Sequence, residues 1–330
     1  MGFTSLQDIV GRSDLLQTFE QHREWLEERN IDLSQFFEMP LHDNSTREKL
    51  FQDKLGKLNE QILEDVRDAI DKNEDISKSY DIRTTDRAVL ARLSGEIAYR
   101  QHKHRMKHLG NGKANEKPYT GTIDLTFTGS AGQGFGVFMI ENLRVHLFGE
   151  ANDSVGKTMN GGYMVITPPQ NARYNASDSA IIGNCALYGA TGGKMFVHGK
   201  AGDRFAVRNS GATAVVEGTG LHACEYMTNG NIVILGETSH NIGAGMTGGE
   251  LYLYGDYPRE INEEYLVQEK FTDEKYEWLY KLLEEYHEET GSAKAAYILK
   301  DWEQAKEQFQ RYIPVTIKER QQDQDEEIAS

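Results

Sequence analysis

Gly192-Gly-Lys-Met-Phe-Val-His-Gly199, Gly211-Ala-Thr-Ala-Val-Val-Glu-Gly218, Gly230-Asn-Ile-Val-Ile-Leu-Gly236 and Gly249-Glu-Leu-Tyr-Leu-Tyr-Gly255 repeat one another in order, and their reading decides the fold. The opening glycines are 19, 19 and 19 residues apart, and the closing glycines 19, 18 and 19. Two registers that keep step mark a stacked repeat. One column within the repeats holds Leu125, Val145, Met195, Ala214, Ile232 and Leu251. A second, two residues on, holds Phe127, Leu147, Val197, Val216, Ile234 and Leu253. Both are apolar throughout. Alternate side chains of a strand share a face, so stacking the repeats places both columns in one continuous core.

Helical repeats run about 33 residues or more, and a leucine-rich repeat requires a leucine and asparagine consensus that is missing here. Strands joined by glycine corners remain. A period near 19 residues at about 3.3 Å each gives a perimeter of roughly 60 Å, enough for three short strands per turn. The expected fold is mainly β, a parallel β-helix with flanking α-helices at both ends. Gly129, Gly149, Gly192, Gly199, Gly211, Gly218, Gly230, Gly236, Gly249 and Gly255 are expected at structural corners that need positive φ or close backbone approach. Asn152, Asn160, Asn209, Asn229 and Asn241 suit neighbouring left-handed positions.

The chain has 330 residues, 38% hydrophobic and 27% charged, which suits one large or two modest globular domains. Its formal charge of −16 argues against a nucleic-acid partner, which would need clustered Lys and Arg. Cys185 and Cys224 are the only cysteines, too few for a disulfide framework, so reduced thiols and a cytoplasmic location are expected. No apolar run approaches the roughly 20 residues of a membrane span, and the amino terminus lacks the basic and apolar regions of a signal peptide.

In chain order, residues 1–118 are expected to be a helical linker segment, 119–257 the β-helix, 258–320 capping helices and 321–330 a disordered tail. Leu55, Leu58, Ile62 and Val66 form one stripe. A helix is predicted from about Thr85, capped by Thr85 or Asp86, to Arg100, with Val89, Leu93, Ile97 and Arg100 on one side. The basic run His102 to Lys117 reads as an exposed loop, and Pro168-Pro169 through Ser179 as an excursion from the repeat. Tyr276, Leu279, Tyr280 and Leu283 mark a helix that Gly291 stops, with Ser292 capping the next. These helices are expected to lid the last turn. The outward columns carry His146, Phe196, Val215, Val233 and Tyr252, then Phe148, His198, Glu217, Leu235 and Tyr254. That face is too apolar to meet only water, so either the chain's own helices or another domain should cover it.

Candidate chemistry is sparse. Val155-Gly-Lys-Thr158 imitates the end of a phosphate-binding loop, but Ala151 stands where the first glycine is required and Met159-Asn-Gly-Gly162 turns into another strand. Gly132-Gln-Gly-Phe-Gly136 lacks the strand-to-helix setting of a dinucleotide fingerprint. His222, Cys224 and Glu225 could suggest a metal, yet on a strand Glu225 would point away from Cys224. Asp203, Arg204, Arg208 and Glu225 could form a charged site or, more plainly, salt links at corners. No catalytic, cofactor-binding or metal residue is assigned.

The run Gly202-Asp-Arg-Phe-Ala-Val-Arg-Asn-Ser-Gly-Ala-Thr-Ala-Val-Val-Glu-Gly218, continuing through His222-Ala-Cys-Glu-Tyr-Met227, resembles the carboxy-terminal glycine-repeat (GXGXG) domain of the glutamate synthase large subunit. Thr85-Asp-Arg-Ala-Val89, Leu93-Ser-Gly-Glu-Ile97, Gly149 to Gly162 and Thr290-Gly-Ser-Ala293 to Trp302 share the resemblance. It implies a right-handed, single-stranded solenoid and a scaffold role, inactive by itself, beside flavin-binding and glutaminase domains. Those domains would convert glutamine and 2-oxoglutarate to glutamate using FMN and an iron–sulfur cluster, neither of them held by this chain. Two alternatives are an independent enzyme with a site on the solenoid, or the glycine-repeat subunit of a related assembly such as N-methylglutamate synthase or formylmethanofuran dehydrogenase.

Overall fold

The computed structural model describes residues 2–5, 8–37, 56–108, 118–169, 171–257 and 259–319. Leu55 of the apolar stripe, the basic run beyond His108 and the expected disordered tail lie outside the described residues. The chain divides into two compact units, residues 1–54 and 55–330. Among its described residues the first has two short α-helices, α1 (Arg23–Glu28) and α2 (Ser34–Phe37), and leaves Phe19, Trp25 and Phe36 exposed.

The second unit begins with α3 (Lys57–Lys72), whose Leu58, Ile62 and Val66 are buried. The segment after it is a strand, β1 (Ile76–Ile82), although the first 80 residues read as helical. β1 pairs in parallel with β2 (Ile123–Ala131), with Ile76 opposite Ile123 and Tyr80 opposite Phe127. It is therefore an additional first turn. Helix α4 (Ala91–His108) starts later than the sequence predicts and runs into the supposed basic loop. Residues 86–90 are drawn away from it, because Asp86 and Val89 carbonyls accept from Gly132 and Gly136 while Ala88 N–H donates to Gln133.

From β2 the parallel stack continues through β3 (Leu143–Ala151), β4 (Asn160–Thr167), β6 (Gly192–Val197), β8 (Ser210–Val216), β10 (Thr228–Ile234) and β11 (Gly248–Tyr254). A second, narrower stack joins the end of β3 to β5 (Ala180–Ile182), β7 (Lys200–Ala201) and β9 (Gly218–Thr219). This is a β-solenoid of about six turns. The two apolar columns lie in register, as in Met195 opposite Ala214 and Ile234 opposite Leu253. β4 adds Met164 and Ile166 to them, and all are buried. The described residues of Pro168 to Ser179 form the excursion between β4 and β5.

The third side of each turn is an arc, not the expected third strand. In it every second residue is left-handed: Gly134, Gly136 and Phe138; Ser154, Gly156 and Thr158; Cys185, Leu187 and Gly189; Arg204, Ala206 and Arg208; His222, Cys224 and Tyr226; Asn241, Gly243 and Gly245. Those N–H groups bond alternately to the turn ahead and the turn behind. Arg204 N–H donates to Leu221 O at 2.7 Å, Ala206 to Ala186 O at 2.9 Å, and Arg208 to Glu225 O at 2.8 Å. Each non-glycine residue held this way costs about 1–2 kcal/mol, offset by satisfying a backbone group that would otherwise be orphaned.

After β11 the parallel rule ends. The strand β13 (Phe309–Pro314) runs antiparallel to β11, and β12 (Leu266–Glu269) antiparallel to β13. Between these strands come α5 (Asp273–Thr290), α6 (Ala293–Lys300) and α7 (Trp302–Ala305). Gly291 ends α5 with φ +66°, and the Ser292 side chain caps α6. α5 and α6 do not lid the last turn, which β13 and β12 close instead. They lie along the outer face of the main stack. Val165, Phe196, Val215, Val233 and Tyr252 form a second core there with Leu279, Leu283, Tyr286 and Ile298. That face is covered by the chain itself, so it is not the open docking ladder that the sequence left possible.

Candidate functional site

The ten corner glycines have two kinds of surroundings. Gly129, Gly199, Gly230, Gly249 and Gly255 have positive φ. At Gly149, Gly192, Gly211, Gly218 and Gly236 a Cβ would stand under 3.0 Å from an atom of an adjacent turn. Gly149 is the most confined of the second kind, its Cβ falling 1.7 Å from Gly129 O, and at Gly211 the Cβ falls 2.2 Å from Thr191 O.

The arc holds the polar residues singled out from sequence. Asp203 Oδ1 accepts from Leu221 N–H at 2.8 Å, while Asn184 Oδ1 accepts from Asp203 N–H at 2.8 Å. Asp153 Oδ1 likewise accepts from Asn184 N–H at 2.8 Å. These carboxylates and amides stitch turn to turn. Arg204 and Arg208 are exposed and form no ion pair among the described residues, so they are not the salt links of a corner.

His222 and Glu225 are brought together because they sit on the arc and not on a strand, with Nδ1 and Oε1 2.8 Å apart. The Asn241 amide lies 3.2 Å from each, and Asn262 donates to Asn241 Oδ1 at 2.9 Å. The pair is oriented, but its neighbour Cys224 points into the core. Complete burial pushes the Cys224 thiol up to about 12. Among the described residues no group of three or more His, Cys, Asp or Glu could hold a metal. Lys157 is exposed at the arc, its ammonium 5.3 Å from the Tyr188 ring centre, with no helix opening beside it.

Two buried polar centres escaped the sequence reading. Glu217, fully buried, accepts from Ser177 Oγ at 2.7 Å and from Ser292 Oγ, and the Tyr286 hydroxyl lies 3.2 Å away. One carboxylate thus ties the excursion, the solenoid and the α5–α6 joint together. Its signal was an acid in an otherwise apolar and aromatic column. At the far end Glu250 receives Arg311 Nε at 2.8 Å, Lys275 Nζ at 2.7 Å and the Tyr252 hydroxyl. Burial opposes its charge, but these donors outweigh burial and hold Glu250 down at about 2. A cleft of about 660 Å³ opens nearby, lined by Arg259, Ile261, Leu266, Tyr312 and Lys318 among others. Glu263 and Glu319 also line it. Among the described residues no helix is long and apolar enough to cross a membrane.

The family model described as GXGXG motif matches residues 59–315. The chloroplastic ferredoxin-dependent glutamate synthase of Spinacia oleracea is 40% identical over 324 residues, covering 95% of this chain and 19% of the relative. Ferredoxin-dependent glutamate synthase 2 of Synechocystis sp. is 41% identical over 329 residues, covering 97% and 20%. The enzyme of Cyanidium caldarium is 40% identical over 328 residues, covering 95% and 20%. The chain spans about a fifth of the length of these relatives.

Proposed function

The chain belongs to the GXGXG-motif family and is homologous to the carboxy-terminal region of ferredoxin-dependent glutamate synthase, and on that premise we propose that it is a scaffold of a glutamate synthase. In this reading it is inactive alone and holds the flavin-binding and glutaminase parts in position while they convert glutamine and 2-oxoglutarate to glutamate. The observation that carries the proposal is a match over nearly the whole chain to only a fifth of each relative.

The two cysteines present do not suit the iron–sulfur cluster such chemistry uses. An iron–sulfur cluster needs several accessible thiolates, whereas Cys224 is buried with its thiol pushed up to about 12 and Cys185 is the only other cysteine. In this proposal the cluster, and FMN with it, belong to the remainder of the assembly. The oriented His222–Glu225 pair is the one feature favouring the rival reading of an independent enzyme, since the histidine side chain is 36% exposed. A proton acceptor without a nucleophile or a concave site has little to act on.

The test is purified chain assayed for flavin absorbance, ammonia release from glutamine and glutamate formation, alone and with the flavin and glutaminase polypeptides of its own organism. The expected result is no turnover alone and stable co-purification with them. Turnover that survives repurification and is lost in His222→Ala or Glu225→Ala would overturn the scaffold reading.

A further inference from the structure

We propose that the outer side of the arc, carrying Phe138, Lys157, Arg204, Arg208 and Tyr226, is the face that docks onto a carboxylate-presenting surface of the flavin- and glutaminase-bearing part of the assembly. This inference rests on the scaffold reading above and names the surface that would serve it.

The first argument compares the turns with one another. Left-handed positions recur three times in every arc, and the middle one faces the core, where Leu187, Ala206 and Cys224 are buried. A side chain there returns packing for its backbone strain. Some outer positions do the same through polar contacts, as His222 and Asn241 do, and glycine occupies others without difficulty at Gly134, Gly189 and Gly245. Yet Phe138 and Tyr226, each 57% exposed, and the exposed Arg204 and Arg208 stand at equivalent places. The Tyr226 ring lies over Gly245 of the next turn, but Arg204 and Arg208 have no ion pair among the described residues, and strained residues of this kind cluster at ligand clamps and other functional sites.

The second argument is electrostatic. Asp153, Asp203 and Glu225, the carboxylates of these arcs, are already engaged by main-chain N–H groups, His222 and Asn241. Arg204 and Arg208 have no anionic partner among the described residues, in a chain of formal charge −16. Guanidinium groups beside exposed aromatic rings are the side chains most often found at binding hot spots, and their forked donors match carboxylates.

The third argument is topological. The outer face of the main stack is already buried under α5 and α6. The arc is not. Arg208 N–H donates to Glu225 O and Tyr226 N–H to Ala244 O, so Arg208 and Tyr226 occupy one column on successive turns, roughly 5 Å apart. The remaining four-fifths of each relative supplies an occupant of sufficient size.

The experiment co-expresses the tagged full chain with the flavin- and glutaminase-bearing polypeptides of its own organism and measures flavin retained per chain after affinity purification, with affinity by titration. The variants are Arg204→Glu with Arg208→Glu, the milder Arg204→Gln with Arg208→Gln, Tyr226→Ser, and Lys281→Glu on α5 as control. The proposal expects retention by wild type and the control, at least a tenfold weaker association for the double charge reversal, a smaller loss for the glutamine pair and Tyr226→Ser, and unchanged melting. Association that weakens with salt in wild type and not in the glutamine pair would support the carboxylate partner. Full retention by every arc variant would overturn the docking face while leaving the scaffold reading intact. If wild-type chain retains no flavin-bearing partner, the scaffold reading itself fails and the docking face with it.

Discussion

Replacing Glu250 by Gln tests how the far end of the solenoid is closed. Glu250 lies on the last parallel strand, and its carboxylate joins β11 to β13 through Arg311 and to α5 through Lys275. Its fall from an ordinary 4.5 to about 2 corresponds to roughly 3 kcal/mol at about 1.4 kcal/mol per pH unit. The side chain is 20% exposed, so solvent screening reduces this to about 2 kcal/mol. A carboxylate depressed in the folded state contributes stability that is present above its unfolded value and lost as pH falls through the folded value. Urea unfolding of wild type and Glu250→Gln should therefore differ by about 2 kcal/mol at pH 7, and the difference should shrink between about pH 4.5 and pH 2. Subtracting the two proteins cancels the other carboxylates. A difference that is absent at pH 7, or that persists unchanged at pH 2.5, would refute the assignment of Glu250 as a charged clasp.

Gly211→Val should destabilise by about 2 kcal/mol or more through its collision with Thr191 O, and Gly230→Val similarly through φ +97° and a Cβ 2.4 Å from Ala212 O. Denaturation midpoints equal to wild type would show that these positions are not confined. Arg208→Gly should leave stability unchanged or raise it by up to about 1 kcal/mol, because relief of the strain at φ +56° exceeds the entropy glycine adds to the unfolded chain. A marked loss in the melt would mean that Arg208 makes a stabilising contact. Cys224 should resist alkylation in the native protein and react only on unfolding, since it is buried with its thiol near 12. Rapid native labelling located at Cys224 by mass spectrometry would contradict that burial.

The main stack was legible because its signal is local and redundant. Two apolar columns of period 2 repeat at a fixed interval, and a one-residue slip would turn every one of them outward. The arc was not legible. Leu187, Ala206 and Cys224 are left-handed only because neighbouring turns present carbonyls at the right height, which no local propensity encodes. The strand β1 escaped for a similar reason. Ser77, Lys78, Ser79 and Asp81 are exposed on an end turn, so its pairing with β2 defines it and its own pattern does not. In the outer columns the sequence showed that a cover was required without showing which element supplied it. The amphipathic face of α5 matches Phe196 and Val215 only once the fold brings them together. The His222–Glu225 pair was missed because strand geometry, assumed from sequence, separates what the arc unites.

A stack of parallel strands has no intrinsic length, since each new turn leaves an edge as receptive as the last. Here propagation is arrested at both ends. At one end β1 presents Lys78 and Asp81 on a largely exposed strand. At the other, β13 reverses direction, so the template offered by β11 is consumed by a strand that cannot begin another turn. The final edge belongs to β12, only 4 residues long, with Glu269 tied to Lys318. Short, charged edges are poor seeds for end-to-end addition. The solenoid is thereby a finite stack about 34 Å long across its eight parallel strands at roughly 4.8 Å per step, and the reversal at β13 keeps a fold with the makings of a fibre from growing into one.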